Sequence, residues 1–122
     1  MALYLLPESV ARENGAGSAI ALGSGRGKTL LLTLAITRAL EQESLEMSIW
    51  GSPDRDTWQL LETFPQKFYC GNYPQLLDLA GHKDIRFLRA EWRMNRWGGS
   101  ETTPLFGFHV RVEEPKLHAV GV

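Results

Sequence analysis

The sequence predicts an all-β chain of about eight short antiparallel strands, folded as a sandwich or barrel. Three observations lead there. Apolar and polar residues alternate at period two in several segments, most clearly from Phe106 to Glu113. Clusters of turn-forming residues separate those segments at short intervals. The one segment that also has helical periodicity, Thr29 to Ser44, carries threonines at every second outward position, where branching at Cβ suits a pleated surface.

Along the chain, Ala2 to Leu6 and Ser18 to Leu22 are short strand candidates, and the loop Arg12 to Gly17 between them is expected to be loose. Gly23 to Lys28 reads as a glycine-rich turn. In the strand Thr29 to Arg38, Leu30, Leu32, Leu34 and Ile36 share one face, with Thr29, Leu31, Thr33, Ala35 and Thr37 on the other. A helix would instead align Leu32, Ala35, Ile36, Ala39 and Leu40. After a loop from Ala39 to Ser44, Leu45, Met47 and Ile49 alternate with Glu46, Ser48 and Trp50 until Gly51-Ser52-Pro53-Asp54 turns the chain. These two strands are expected to form a hairpin.

Gln59 to Phe64, Lys67 to Cys70 and Gln75 to Leu79 are further short strands, with turns expected at Gly71-Asn72-Tyr73-Pro74 and Ala80-Gly81-His82. From Ile85 to Met94, Leu88, Ala90, Trp92 and Met94 point one way, and Ile85, Phe87, Arg89, Glu91 and Arg93 the other. Because its first half is apolar on both faces, this strand is expected to be central. A turn at Gly98-Gly99-Ser100 precedes the last strand, where Phe106, Phe108, Val110 and Val112 are the inward set, and Pro115 to Val122 reads as a loose tail.

A chain of 122 residues suits one domain, 1–122, with a single core. Its 13 basic and 14 acidic residues leave a net charge of −1, so no global field gathers nucleic acid or an anionic membrane. The single Cys70 cannot form an intramolecular disulfide and reads as a half-buried thiol rather than a nucleophile. The five-residue apolar run before Pro7 is too short for a signal sequence or a membrane span, so a soluble protein made in the cytoplasm is expected, with association with a particle as a finer expectation.

Gly23-Ser24-Gly25-Arg26-Gly27-Lys28-Thr29 ends like a phosphate loop. Such a loop needs a glycine at position 22, five residues before the Gly-Lys pair, and a helix after it; Leu22 stands there, and a strand is predicted to follow. Nucleotide binding through Gly23 to Thr29 is therefore the third of three functional readings. His82, His109 and His118 are too scattered for a zinc site, and no nucleophile signature is present, so neither a metal, a cofactor nor a catalytic residue is expected. His109 faces away from the expected core and reads as solvated. Arg86, Arg89, Arg93 and Arg96 are interleaved with aromatics, but strand geometry splits them between faces, and pairing with Glu113 or Glu114 accounts for them as well. No nucleic-acid partner is expected.

Within "SIWGSPDRDTWQLL", Ser52, Asp54 and Trp58 resemble the Ser-x-Asp-Gly-x-x-Trp hairpin of discoidin-type, galactose-binding-like sandwiches, with Arg55 in place of the glycine. Arg86, Phe87, Leu88 and Arg89 are similar to a later strand of the same folds. Thr29 to Glu113 also resembles small phage-type jelly-roll sandwich proteins: Leu88, Arg89, Ala90 and Trp92 match one strand, and Thr103, Pro104, Phe106 and Phe108 the next. Thr102 replaces a glycine, and the loop Asn95 to Glu101 departs from the pattern. This second resemblance implies an antiparallel, jelly-roll-like β-sandwich with a part in particle assembly, and it carries over no catalytic residue.

The expected function is accordingly a non-enzymatic assembly or interaction module, a virion or virion-like structural component that associates with itself or with protein partners. The alternative is a carbohydrate-binding module, with a glycan stacked on Trp50, Tyr73 and Trp97 and with Asp54 and Asp56 as polar or calcium contacts.

Overall fold

The computed structural model describes residues 2–40, 42–96 and 105–114. Nine strands occur among them: β1 (Ala2–Ala11), β2 (Gly15–Ala16), β3 (Ile20–Ala21), β4 (Thr29–Ala39), β5 (Glu43–Ser52), β6 (Gln59–Thr63), β7 (Gly71–Asp78), β8 (Phe87–Arg96) and β9 (Phe106–Glu113). One sheet runs β1-β9-β4-β7 and the other β2-β8-β5-β6, with β3 beside β2 along β8. Every pairing is antiparallel.

The pairs nest about the turn between β5 and β6. β5 pairs with β6, β4 with β7, β2 and β3 with β8, and β1 with β9. A single long hairpin has been rolled into two sheets, and β4 with β9 and β5 with β8 close the roll. Counted with β2 and β3 as one interrupted strand, this is an eight-strand, jelly-roll-like order.

The core lies between the sheets and is built from the alternating sets. Leu30, Leu32, Leu34 and Ile36 of β4 and Phe106, Phe108, Val110 and Val112 of β9 face Leu45, Met47 and Ile49 of β5 and Leu88 and Ala90 of β8, all buried. Each large side chain so placed contributes roughly 1.5–3 kcal/mol. β8 lies between β2 and β5, the central position expected of it.

Thr29 to Ala39 is a strand, as its threonines imply, but β4 and β5 do not form the expected hairpin: they belong to opposite sheets. Both bury a complete apolar face, and two such faces satisfy each other across a core rather than side by side. The crossing is held by Glu43, which is 1% exposed. Its carboxylate accepts the Leu40 N–H at 2.6 Å and the Leu105 N–H at 2.9 Å, so it ties the crossing to the start of β9.

Lys67 to Cys70 is not a strand; only Lys67 bridges, to Leu45. The expected turn Gly71 to Pro74 is instead the start of β7. β7 is an edge strand, where a proline's missing N–H costs little. β1 likewise runs past Leu6 through Pro7, with register shifts on both sides of Leu6. The segment expected to be loose, Arg12 to Gly17, is tied down: Gly15 and Ala16 pair with Trp92 and Glu91, and Asn14 Oδ1 accepts the Met94 N–H at 2.7 Å. Among the described residues, no helix is long and apolar enough to cross a membrane. The expected turn at Gly98 to Ser100 and the tail from Pro115 fall outside the described residues.

Candidate functional site

The loop Gly23 to Lys28 makes a short 3-10 turn, Gly23–Gly25, and passes directly into β4. A phosphate loop works by aiming a helix's free N–H groups at the ligand, and here a strand takes the helix's place. Lys28 Nζ instead pairs with Glu114 at 3.1 Å, which holds the Glu114 carboxyl below the usual range. The loop is a turn between β3 and β4.

The outer face of the β5-β8 sheet carries a connected set of interacting side chains. Trp50 lies opposite Arg89 on one side and Leu60 on the other. The Arg89 guanidinium sits 4.3 Å from the centre of the Trp58 ring and bonds Glu91 at 2.8 Å, while its Nε is buried without a partner. Trp50 Nε1 donates to Ser48 Oγ at 2.9 Å, and Arg55 covers Phe87 at 4.5 Å. Arg89 thus pairs with Glu91 of its own strand. Glu113 and Glu114, considered as its partners from the sequence, are taken by Arg111 and Lys28.

The tip of the rolled hairpin, Ser52 to Trp58, is closed from within. Asp54 Oδ1 accepts the N–H groups of Asp56 and Thr57 at 2.8 and 2.9 Å and the Ser52 hydroxyl at 3.0 Å. These bonds, the two amides first, hold the Asp54 carboxyl below the usual aspartate range. Trp58 Nε1 donates to the Arg55 carbonyl at 3.0 Å. Arg55 has φ +72°, the left-handed conformation that glycine adopts most readily.

Of the residues named for sugar binding, Trp50, Asp54 and Asp56 lie together along the end of β5 and the loop after it. Tyr73 is in β7 of the other sheet, where its hydroxyl donates to the Tyr69 carbonyl at 2.6 Å and Lys67 Nζ lies over its ring. Trp97 falls outside the described residues. Among the described residues, no group of three His, Cys, Asp or Glu side chains is placed to hold a metal ion.

Two arrangements had no sequence signal. On the outer face of the β1-β9-β4 sheet, the His109 ring meets Glu8 at 3.0 Å, and Glu8 also accepts the Thr37 hydroxyl at 2.8 Å. The Tyr4 ring stands edge-on to His109. His109 is thus engaged rather than freely solvated, and these two bonds, His109's first, lower the Glu8 pKa. Separations of 29 and 101 residues hide such a cluster from any motif. The second is a groove of about 580 Å³ lined by Leu40, Gln42, Glu43, Phe68, Tyr69 and Cys70. Tyr69 is 77% exposed and Phe68 40%, and the Cys70 thiol is exposed rather than half-buried.

No protein-family model and no curated protein matches the chain. Among solved structures, the crystal structure of SPBc2 prophage-derived protein YomS matches at a TM-score of 0.54 and 11% identity, over 93% of this chain and 92% of that one. The likeness covers nearly the full length of both chains and is one of fold, so this rolled two-sheet sandwich is similar to a prophage-derived protein.

Proposed function

We propose that the protein is a non-enzymatic interaction module, a structural component of a virion or virion-like particle that associates with itself or with another protein of that particle. The observation that carries this reading is the groove at the β4-to-β5 crossing. Leu40, Phe68 and Tyr69 remain 37%, 40% and 77% exposed around it. Large aromatic side chains held at a surface are what protein interfaces characteristically bury.

The strand edges favour contact through faces and ends over sheet extension. β1 is bulged around Pro7, β7 carries Pro74, β6 has a register shift against β5, and the edge along β8 is split into β2 and β3. Such edges are poor templates for another chain. The fold shared with a prophage-derived protein adds the phage-related setting.

The test is light scattering over a concentration series, run beside the double variant Phe68→Ser, Tyr69→Ser. The reading expects a defined oligomer, or a complex with a particle protein encoded nearby, that the double variant weakens. A strict monomer that binds no such protein sinks it.

A further inference from the structure

A polar pocket of about 360 Å³ opens at the end of the second sheet, and its lining shares no residue with that of the groove. Six hydrogen-bonding side chains line it: Asn14, Ser44, Glu46, Gln66, Arg93 and Asn95. They come from four separate parts of the chain: the β1–β2 loop, β5, the segment after β6, and β8. Only the rolled topology brings them together.

Three of the six are held in place. Asn14 is fixed by the Met94 N–H, and Gln66 Nε2 donates to Ser44 Oγ at 2.7 Å. Three are uncommitted: among the described residues, the side chains of Glu46, Arg93 and Asn95 have no hydrogen-bond partner. Glu46 and Arg93 are directly opposed in the ladder, yet they form no ion pair. Their charges offset one another, so the pocket has little net charge while offering donors and acceptors in both senses.

We propose that this pocket binds a neutral hydroxyl-rich saccharide. A sugar hydroxyl donates and accepts at once, and a carboxamide is the side chain that answers with both. The guanidinium and carboxylate supply the stronger, charge-assisted bonds to adjacent hydroxyls. The volume lies at the lower end of the range for small-ligand sites, which suits one or two sugar rings. Trp92 lines the adjoining depression, which shares Asn14 with this pocket.

The experiment is a nuclear magnetic resonance titration of the 15N-labelled full chain with the methyl glycosides of glucose, galactose and N-acetylglucosamine. At least one glycoside is expected to shift the side-chain amides of Asn14, Gln66 and Asn95 saturably. Asn95→Ala is expected to weaken that binding roughly tenfold, the effect of one lost hydrogen bond. Leu76→Ala, at an exposed position of β7 in the other sheet, is expected to leave it unchanged. The proposal is overturned if none of the three glycosides shifts those amides, or if Asn95→Ala, folded by circular dichroism, binds as the parent does. Neither result bears on self-association.

Discussion

Thr37 and Glu8, on strands that are not neighbours, are joined by a 2.8 Å hydrogen bond across β9. The space for it is set by Gly107, where a Cβ would stand 3.0 Å from Thr37 Oγ1 and 3.1 Å from Arg38 Cβ. Register shifts in β1 and β4 flank the contact, between Leu6 and Ser9 and between Ile36 and Arg38. Two bulges and a glycine thus let β1 and β4 meet over the strand that separates them.

Gly107→Ala is expected to displace the Thr37 hydroxyl and destabilise the protein by about 1–3 kcal/mol, the usual cost of overpacking a close contact. Urea unfolding measures it, and the companion Thr37→Val tests the cause. If the lost bond is the main effect, the double variant costs much less than the two single changes added together.

The Glu8 carboxyl has a lowered pKa in the folded state, first through His109 and then through Thr37. A depressed carboxyl stabilises the fold above its unfolded value, about 4.3, and that contribution disappears as pH falls through the lower folded value. Melting temperature should therefore drop on acidification through this window, and Glu8→Gln should flatten that part of the curve. Because Glu8 is about half exposed, the change will be small and will shrink with salt. An unaltered acid limb in Glu8→Gln would remove the pair from the account.

Glu43→Ala removes the acceptor of the Leu40 and Leu105 N–H groups. Leaving the buried Leu105 donor unpaired costs about 1–3 kcal/mol, which chemical denaturation would show. Hydrogen exchange should accelerate at Leu105 and Leu40 first. Uniform acceleration over the whole chain would mean that Glu43 does not act locally at the crossing.

Gly15→Ala would bring a Cβ to 2.7 Å from the Trp92 ring. The ring is also fixed by its Nε1 bond to the Glu13 carbonyl and by edge-on contact with Phe108 at 5.2 Å between centres, so it has little freedom to yield. The expected result is detachment of β2 from β8, read as faster exchange at Gly15 and Ala16 and loss of about 1–3 kcal/mol.

Most strands were legible because alternation is local. The inward sets of β4, β5 and β9 follow from which residues are two apart and are buried as their patterns imply, whereas in β8 Leu88 and Ala90 are buried and Trp92 and Met94 only partly so. Lys67 to Cys70 and Gly71 to Pro74 were misread because turn formers and short apolar runs do not reveal whether a partner strand stands beside them. Pro74 fits in a strand only because β7 has one open edge. The sugar residues named from the sequence were chosen as aromatics near strand ends, and nothing in their spacing says which sheet each joins; Tyr73 and Trp50 lie in different ones.

By itself, the sequence pointed to an all-β fold, to which faces of its long strands turn inward, and to a strand in preference to a helix after Gly23 to Lys28. Backbone sterics and side-chain alternation act over a few residues and are written in the order of the chain. Only the tertiary structure decided that β4 and β5 part into opposite sheets, and that Asn14, Ser44, Gln66 and Asn95 meet in one pocket. It also decided that Glu8, Thr37 and His109 converge on one face. The reason is physical: strand partnership is settled by burying two apolar faces against each other at once, and that contact joins residues whose separation along the chain carries no signal.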